Sequence, residues 1–94
     1  MKNLLFMYFV TLVRFRRRPT KEDFKAFDEA EKEFEKRGLR ILNDFYTLGR
    51  FDNVLVIEAP DEKVLVEFLG RFFDLVATET LVAIPRAEGR KLFL

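Results

Sequence analysis

Ten consecutive residues, Leu4 to Val13, carry no charge, and the next five include Arg14, Arg16, Arg17 and Arg18. A membrane-spanning helix needs about 20 apolar residues, roughly twice that run. The arginines also stand where a secretory leader would carry small residues for cleavage. Phe6, Tyr8, Phe9, Val10, Thr11 and Val13 favour an extended chain. The run is therefore predicted to be a buried β-strand, and the protein is expected to be cytoplasmic without a membrane segment.

Helix chemistry follows. Pro19 and Thr20, with Asp23 three residues on, form a capping box that places a carboxylate at the positive end of a helix. Phe24, Phe27, Ala30 and Phe34 recur on one face, and aromatic residues at that spacing are expected in a core. The other face is charged, with Asp28–Lys32 and Glu33–Arg37 spaced for i,i+4 pairs, and Gly38 closes the helix. Leu39 to Leu48 returns to strand character. Gly49, Arg50, Phe51 and Asp52 turn the chain into a second short strand, Asn53 to Glu58. Pro60 and Asp61 start another helix, with Asp61 as N-cap and an apolar face of Val64, Leu65, Phe68, Leu69 and Phe72. Val76 to Ile84 is a last strand, closed by Pro85. A polar tail, Arg86 to Lys91, precedes Leu92, Phe93 and Leu94.

The order strand, helix, strand, strand, helix, strand describes one α+β domain over residues 1–94, with 86–94 as its tail. Right-handed crossovers then give a ferredoxin-like fold: a four-stranded antiparallel sheet with both helices on one face. Such a sheet should alternate apolar and polar residues. The first strand instead has Leu4, Phe6, Tyr8, Val10 and Leu12 on one face and Leu5, Met7, Phe9 and Val13 on the other. The third sets Leu55 and Ile57 against Val54 and Val56. Helices cover only one face, and a large bare apolar patch is rare on a soluble monomer. A homodimer that packs sheet on sheet about a two-fold axis is therefore expected. The competing arrangement is a monomer whose Leu92, Phe93 and Leu94 fold back over the sheet.

Composition narrows the chemistry. The chain lacks Cys, His, Ser, Gln and Trp, so it has no disulfide, no hydrolytic Ser–His pair and no His or Cys metal ligand. Neither a metal nor a cofactor is expected. Seventeen basic residues against sixteen acidic leave a net charge of +1, too little for a surface built to coat nucleic acid. The wealth of Lys, Arg and Glu resembles hyperthermophile composition.

Three blocks, Tyr46-Thr-Leu-Gly-Arg-Phe-Asp52, Glu58-Ala-Pro-Asp61 and Thr78-Glu-Thr-Leu81, resemble successive motifs of the GYD domain family. That family is a branch of the dimeric α/β-barrel superfamily, and the likeness covers residues 39–84. Phe51 stands where the family usually has Tyr, and Ala77 where a basic residue often precedes the third block. The resemblance implies a ferredoxin-like protomer that dimerises through its sheets. It implies no particular function.

Candidate site residues fall in two groups. Tyr46, Asp52, Thr78 and Thr80 are candidates for a small organic ligand between sheet and helices. Asp52 is equally suited to cap the turn, and Thr78 and Thr80 to pack on one strand face. Arg14, Arg16, Arg17, Arg18, Arg50 and Arg71 are expected at one pole, where guanidinium forks could hold phosphate or carboxylate or form ion pairs with neighbours such as Asp52 and Asp74. The leading expectation is a dimeric ligand-binding or assembly module without an evident active site. The alternatives are a cofactor-free enzyme using Tyr, Asp and Thr, which the resemblance admits through monooxygenases and isomerases of related families, and anion or nucleic-acid binding by the arginines.

Overall fold

The local signals become seven elements in the computed structural model, which describes residues 6–94. They are β1 (Met7–Phe15), α1 (Lys21–Glu35), β2 (Arg40–Tyr46), β3 (Asn53–Ala59), α2 (Glu62–Gly70), β4 (Val76–Ala83) and α3 (Arg86–Lys91). Leu4 and Leu5, expected in the first strand, lie outside the described residues. The strands form one antiparallel sheet in the order β2-β3-β1-β4, the ferredoxin-like arrangement expected from the element order.

Each helix starts where its cap directs. The Thr20 side chain accepts the Asp23 N–H at 3.2 Å while the Asp23 carboxylate accepts the Thr20 N–H at 2.7 Å. Asp61 Oδ1 accepts the Val64 N–H at 3.0 Å. After α1 the chain reverses at Gly38, where φ is +92° and a Cβ would lie 2.8 Å from the Pro60 ring. Only glycine suits both demands.

One face of the sheet meets α1 and α2 across a core of Phe9, Val13, Leu55, Ile57, Phe34, Leu65 and Phe68. Phe68 sits centrally, its ring centroid 5.4 Å from Phe34, 5.6 Å from Phe27 and 5.9 Å from Phe72. The i,i+4 ion pairs expected along α1 give way to pairs between the helices. Glu33 accepts both forks of Arg71 (2.7 and 3.0 Å), and Arg37 donates both of its forks to Glu67 (2.7 and 2.9 Å). α2 runs antiparallel beside α1, and two-pronged contact with a neighbour's carboxylate is a better use of a guanidinium than a single contact along its own helix. Both guanidinium groups lie over the buried Phe34 ring, at 4.9 and 5.0 Å.

No element among the described residues covers the other face. Register places Tyr8, Val10 and Leu12 beside Val54 and Val56, with Leu81 and Phe45 on the flanking strands. Phe45 is 57% and Leu81 51% exposed. The expected polar tail is the short helix α3, started by hydrogen bonds from the Glu88 and Gly89 N–H groups to the Pro85 carbonyl. It leaves Leu92, Phe93 and Leu94 exposed rather than folded over the sheet. No helix among the described residues is long and apolar enough to cross a membrane.

Candidate functional site

α1 has fifteen residues and α2 nine, or about 22 and 14 Å at 1.5 Å per residue. The ion pairs Arg37–Glu67 and Arg71–Glu33 fix α2 against the C-terminal half of α1. The first turns of α1 therefore outreach α2, and the sheet beneath them is covered by only one helix. A cavity of about 160 Å³ opens there. Val13, Phe15, Leu55 and Val76 form its floor on the sheet, Phe24 and Phe27 its wall on α1, and Leu69, Phe72 and Leu75 the side given by the end of α2. Phe24 is the departure from the expected core stripe. Its ring is 46% exposed and lines the cavity, because no second helix reaches it.

Polar groups come from β2, β3, β4 and α1: Asp44, Tyr46, Asn53, Thr78, Asp23, Asp28 and Glu31. A bulge between Ile41 and Asn43 decides two of them. Ile41 pairs with Ile57 on the helix-facing side, and strict alternation would send Asp44 and Tyr46 to the opposite face. The extra residue restores them to the helix-facing side, opposite Leu55 and Asn53. Asn53 fixes Asp44 by donating to its carboxylate at 2.6 Å and to the Phe45 carbonyl at 2.9 Å.

The cavity has an electrostatic character that composition did not disclose. Among the described residues its lining includes four carboxylates and no Lys or Arg. Asp23 is neutralised by the two-pronged Arg17 contact at 2.7 and 3.0 Å. Burial, then the like charges of Glu35, Asp28 and Asp44, push the Glu31 carboxyl above its ordinary value. Burial together with Asp44 and Asp28 raises the Tyr46 phenol, which stays a protonated donor at neutral pH. No group of three or more acidic residues is placed to hold a metal ion among the described residues.

Of the residues singled out from the sequence, Tyr46 and Thr78 line the cavity and Asp52 and Thr80 do not. The Asp52 carboxylate accepts the Phe15 N–H at 2.8 Å and its own N–H donates to the Val13 carbonyl at 2.8 Å, so it ties the hairpin to the end of β1. Thr80 shares a hydrogen bond of 3.0 Å with the fully buried Thr11. Asp28, Glu31 and Asp44 were missed. The signal available was the position of Asp28 and Glu31 beside Phe24 and Phe27 on α1.

The six arginines differ in what they touch. Arg17 grips Asp23 and Arg71 grips Glu33. Arg16 donates to the Phe73 and Val76 carbonyls at 2.8 and 3.2 Å. Arg14 and Arg50 lie over the Phe51 ring at 5.6 and 5.2 Å, and Arg18 is exposed. The Arg17 fork and the Thr20 N–H hold the Asp23 carboxyl well below the usual carboxylate range. A lowered native pKa stabilises the fold above the ordinary value near 4, and that contribution is lost as pH falls through the native value. Asp23→Asn is therefore expected to lower the urea midpoint at pH 7, with the gap to wild type closing progressively below about pH 4.

The profile of a domain of unknown function (DUF3303) matches residues 7–94. No curated protein matches the chain. Among solved structures, a protein named PH0061 is similar at 18% identity and a TM-score of 0.60 over 89% of this chain and 55% of its own. An AsnC family transcriptional regulator from Agrobacterium tumefaciens is similar at 18% identity and 0.60 over 90% and 54%. A dabb family protein with a ferredoxin-like fold from Mesorhizobium loti is similar at 11% and 0.57 over 85% and 96%. The chain spans about half the length of the first two. At these identities the likeness is one of fold.

Proposed function

The chain belongs to the family of the domain of unknown function DUF3303, and we propose that it is a dimeric module that binds a small organic ligand in the cavity under α1. The observation that carries this reading is the cavity itself, an apolar floor and an aromatic wall between which Tyr46, Asn53 and Thr78 bring hydrogen-bonding groups. Few polar groups converging on an apolar hollow is the ordinary design of a ligand site. The GYD-like blocks belong to the same proposal, because two of them supply Tyr46 and Thr78.

The second copy belongs on the uncovered sheet face. Val10, Leu12, Val54 and Val56 lie at its centre, while Arg14 and the pair Arg40–Glu58 stand at opposite ends of the strands and Glu79 on the edge strand. An apolar centre with a charged border of both signs is suited to self-association. It leaves the cavity, on the opposite side of the sheet, open.

A panel of single-ring probes, benzyl alcohol, benzylamine and benzoate, tests the cavity by methyl NMR. At least one probe is expected to shift the methyl signals of Val13, Leu55, Leu75 and Val76, and Thr78→Phe, which fills the space, is expected to abolish the shifts. No shift from any probe, or shifts confined to Val10, Leu12, Val54 and Val56, would overturn the reading.

A further inference from the structure

The cavity's shape and its charge carry separate information, and together they define a ligand class. Its volume of about 160 Å³ is close to that of an engineered 150 Å³ apolar cavity that takes up benzene. One ring, or a branched aliphatic body of similar size, therefore fills it. The apolar floor gives no reason to prefer one head group over another.

The charge does. Asp28, Glu31 and Asp44 line the same space and make no salt bridge with a Lys or Arg among the described residues. The whole chain carries a net charge of +1, so the single sign of the charged side chains among the described lining residues is a local feature rather than a reflection of composition. Among the described residues the carboxylates are not grouped to hold a metal ion. Phe24 and Phe27 lie beside them on α1, and the face of an aromatic ring attracts a cation.

We propose that the ligand is a small organic amine, with an apolar body about one ring in size among the aromatic side chains and its ammonium group among Asp28, Glu31 and Asp44. This rests on the ligand-binding reading of the cavity. A bound ammonium relieves the like-charge repulsion that Asp28 and Asp44 exert on Glu31 at the edge of the apolar hollow. The Tyr46 oxygen can accept one N–H and the aromatic rings offer their faces to the same charge. The same arrangement discriminates against acids, because a ligand carboxylate would meet only like charge.

Titration calorimetry with benzylamine, benzyl alcohol and benzoate, which share a ring and differ at the head, separates the two levels of the reading. Benzylamine is expected to bind at least tenfold more tightly than benzyl alcohol, with benzoate weakest. Its advantage should shrink as salt is raised, while benzyl alcohol is little affected. The double variant Asp28→Asn with Glu31→Gln is expected to bring benzylamine down to the level of the alcohol, with measurable benzyl alcohol binding as the control that the cavity persists. Equal binding of amine and alcohol by the wild type, or an amine preference that survives the double variant, would overturn the amine assignment and leave the cavity reading standing. Failure of all three probes would overturn both.

Discussion

Phe68→Ala is expected to remove about 3–5 kcal/mol of folding stability, the range for truncating a buried Phe. Phe68 is fully buried and its ring touches those of Phe27, Phe34 and Phe72. It joins α2 to α1 and both to the sheet. The surrounding rings are rigid and large, so the vacancy can close only in part, and a cavity cost adds to the lost burial. Domains of this kind are stable by about 5–15 kcal/mol in total, so the variant should lose about a fifth or more of what holds it folded. Phe24→Ala is the comparison. Its ring, 46% exposed at the cavity, should cost less than about 1 kcal/mol. Urea unfolding followed by circular dichroism, at one protein concentration, measures both. Equal losses for the two variants would contradict the placement of Phe68 at the centre of the core and of Phe24 outside it.

Val10→Lys is expected to dissociate the proposed dimer. Val10 stands on the inner strand β1 opposite Val56 and Leu81, at the middle of the uncovered face. A lysine there would place a charge from each copy in an apolar contact, with desolvation and like-charge repulsion opposing association. A thousandfold loss of association, about 4 kcal/mol, is expected. Val82→Lys, on the helix-facing side of β4 and already 65% exposed, should leave association unchanged. Sedimentation equilibrium at micromolar concentration reads all three proteins. A monomeric wild type, or equal dissociation by both variants, would refute the sheet-face dimer.

Much of the fold was legible because its signals are local. The Thr20–Asp23 box, Asp61 and Gly38 act within a few residues of themselves, and apolar periodicity assigns a face without knowing what will cover it. The doubled apolar character of β1 and β3 likewise marked a bare sheet face before any packing was known. The ion pairs were misassigned for the opposite reason. Glu33 and Arg37 are neighbours at the C-terminal end of α1, yet their partners are Arg71 and Glu67 at the C-terminal end of α2, and that choice depends on how two helices lie together.

The candidate site was legible only in part. Tyr46 and Thr78 could be named, but so could Asp52 and Thr80, which serve the hairpin end and a threonine pair instead. Parity along a strand sorts side chains between faces, and an unpredicted bulge between Ile41 and Asn43 reverses that parity for Asp44 and Tyr46. By itself the sequence determined the element order, the helix caps, the absence of thiol and imidazole chemistry, and the excess of apolar strand surface. Tertiary structure alone decided that α1 outreaches α2, that a cavity opens beneath the excess length, and that Asp28, Glu31 and Asp44 line it with no salt bridge to a basic residue among the described residues. Caps and periodicity act over one or two turns, whereas the cavity and its charge arise from relative lengths and registers of elements far apart in the chain.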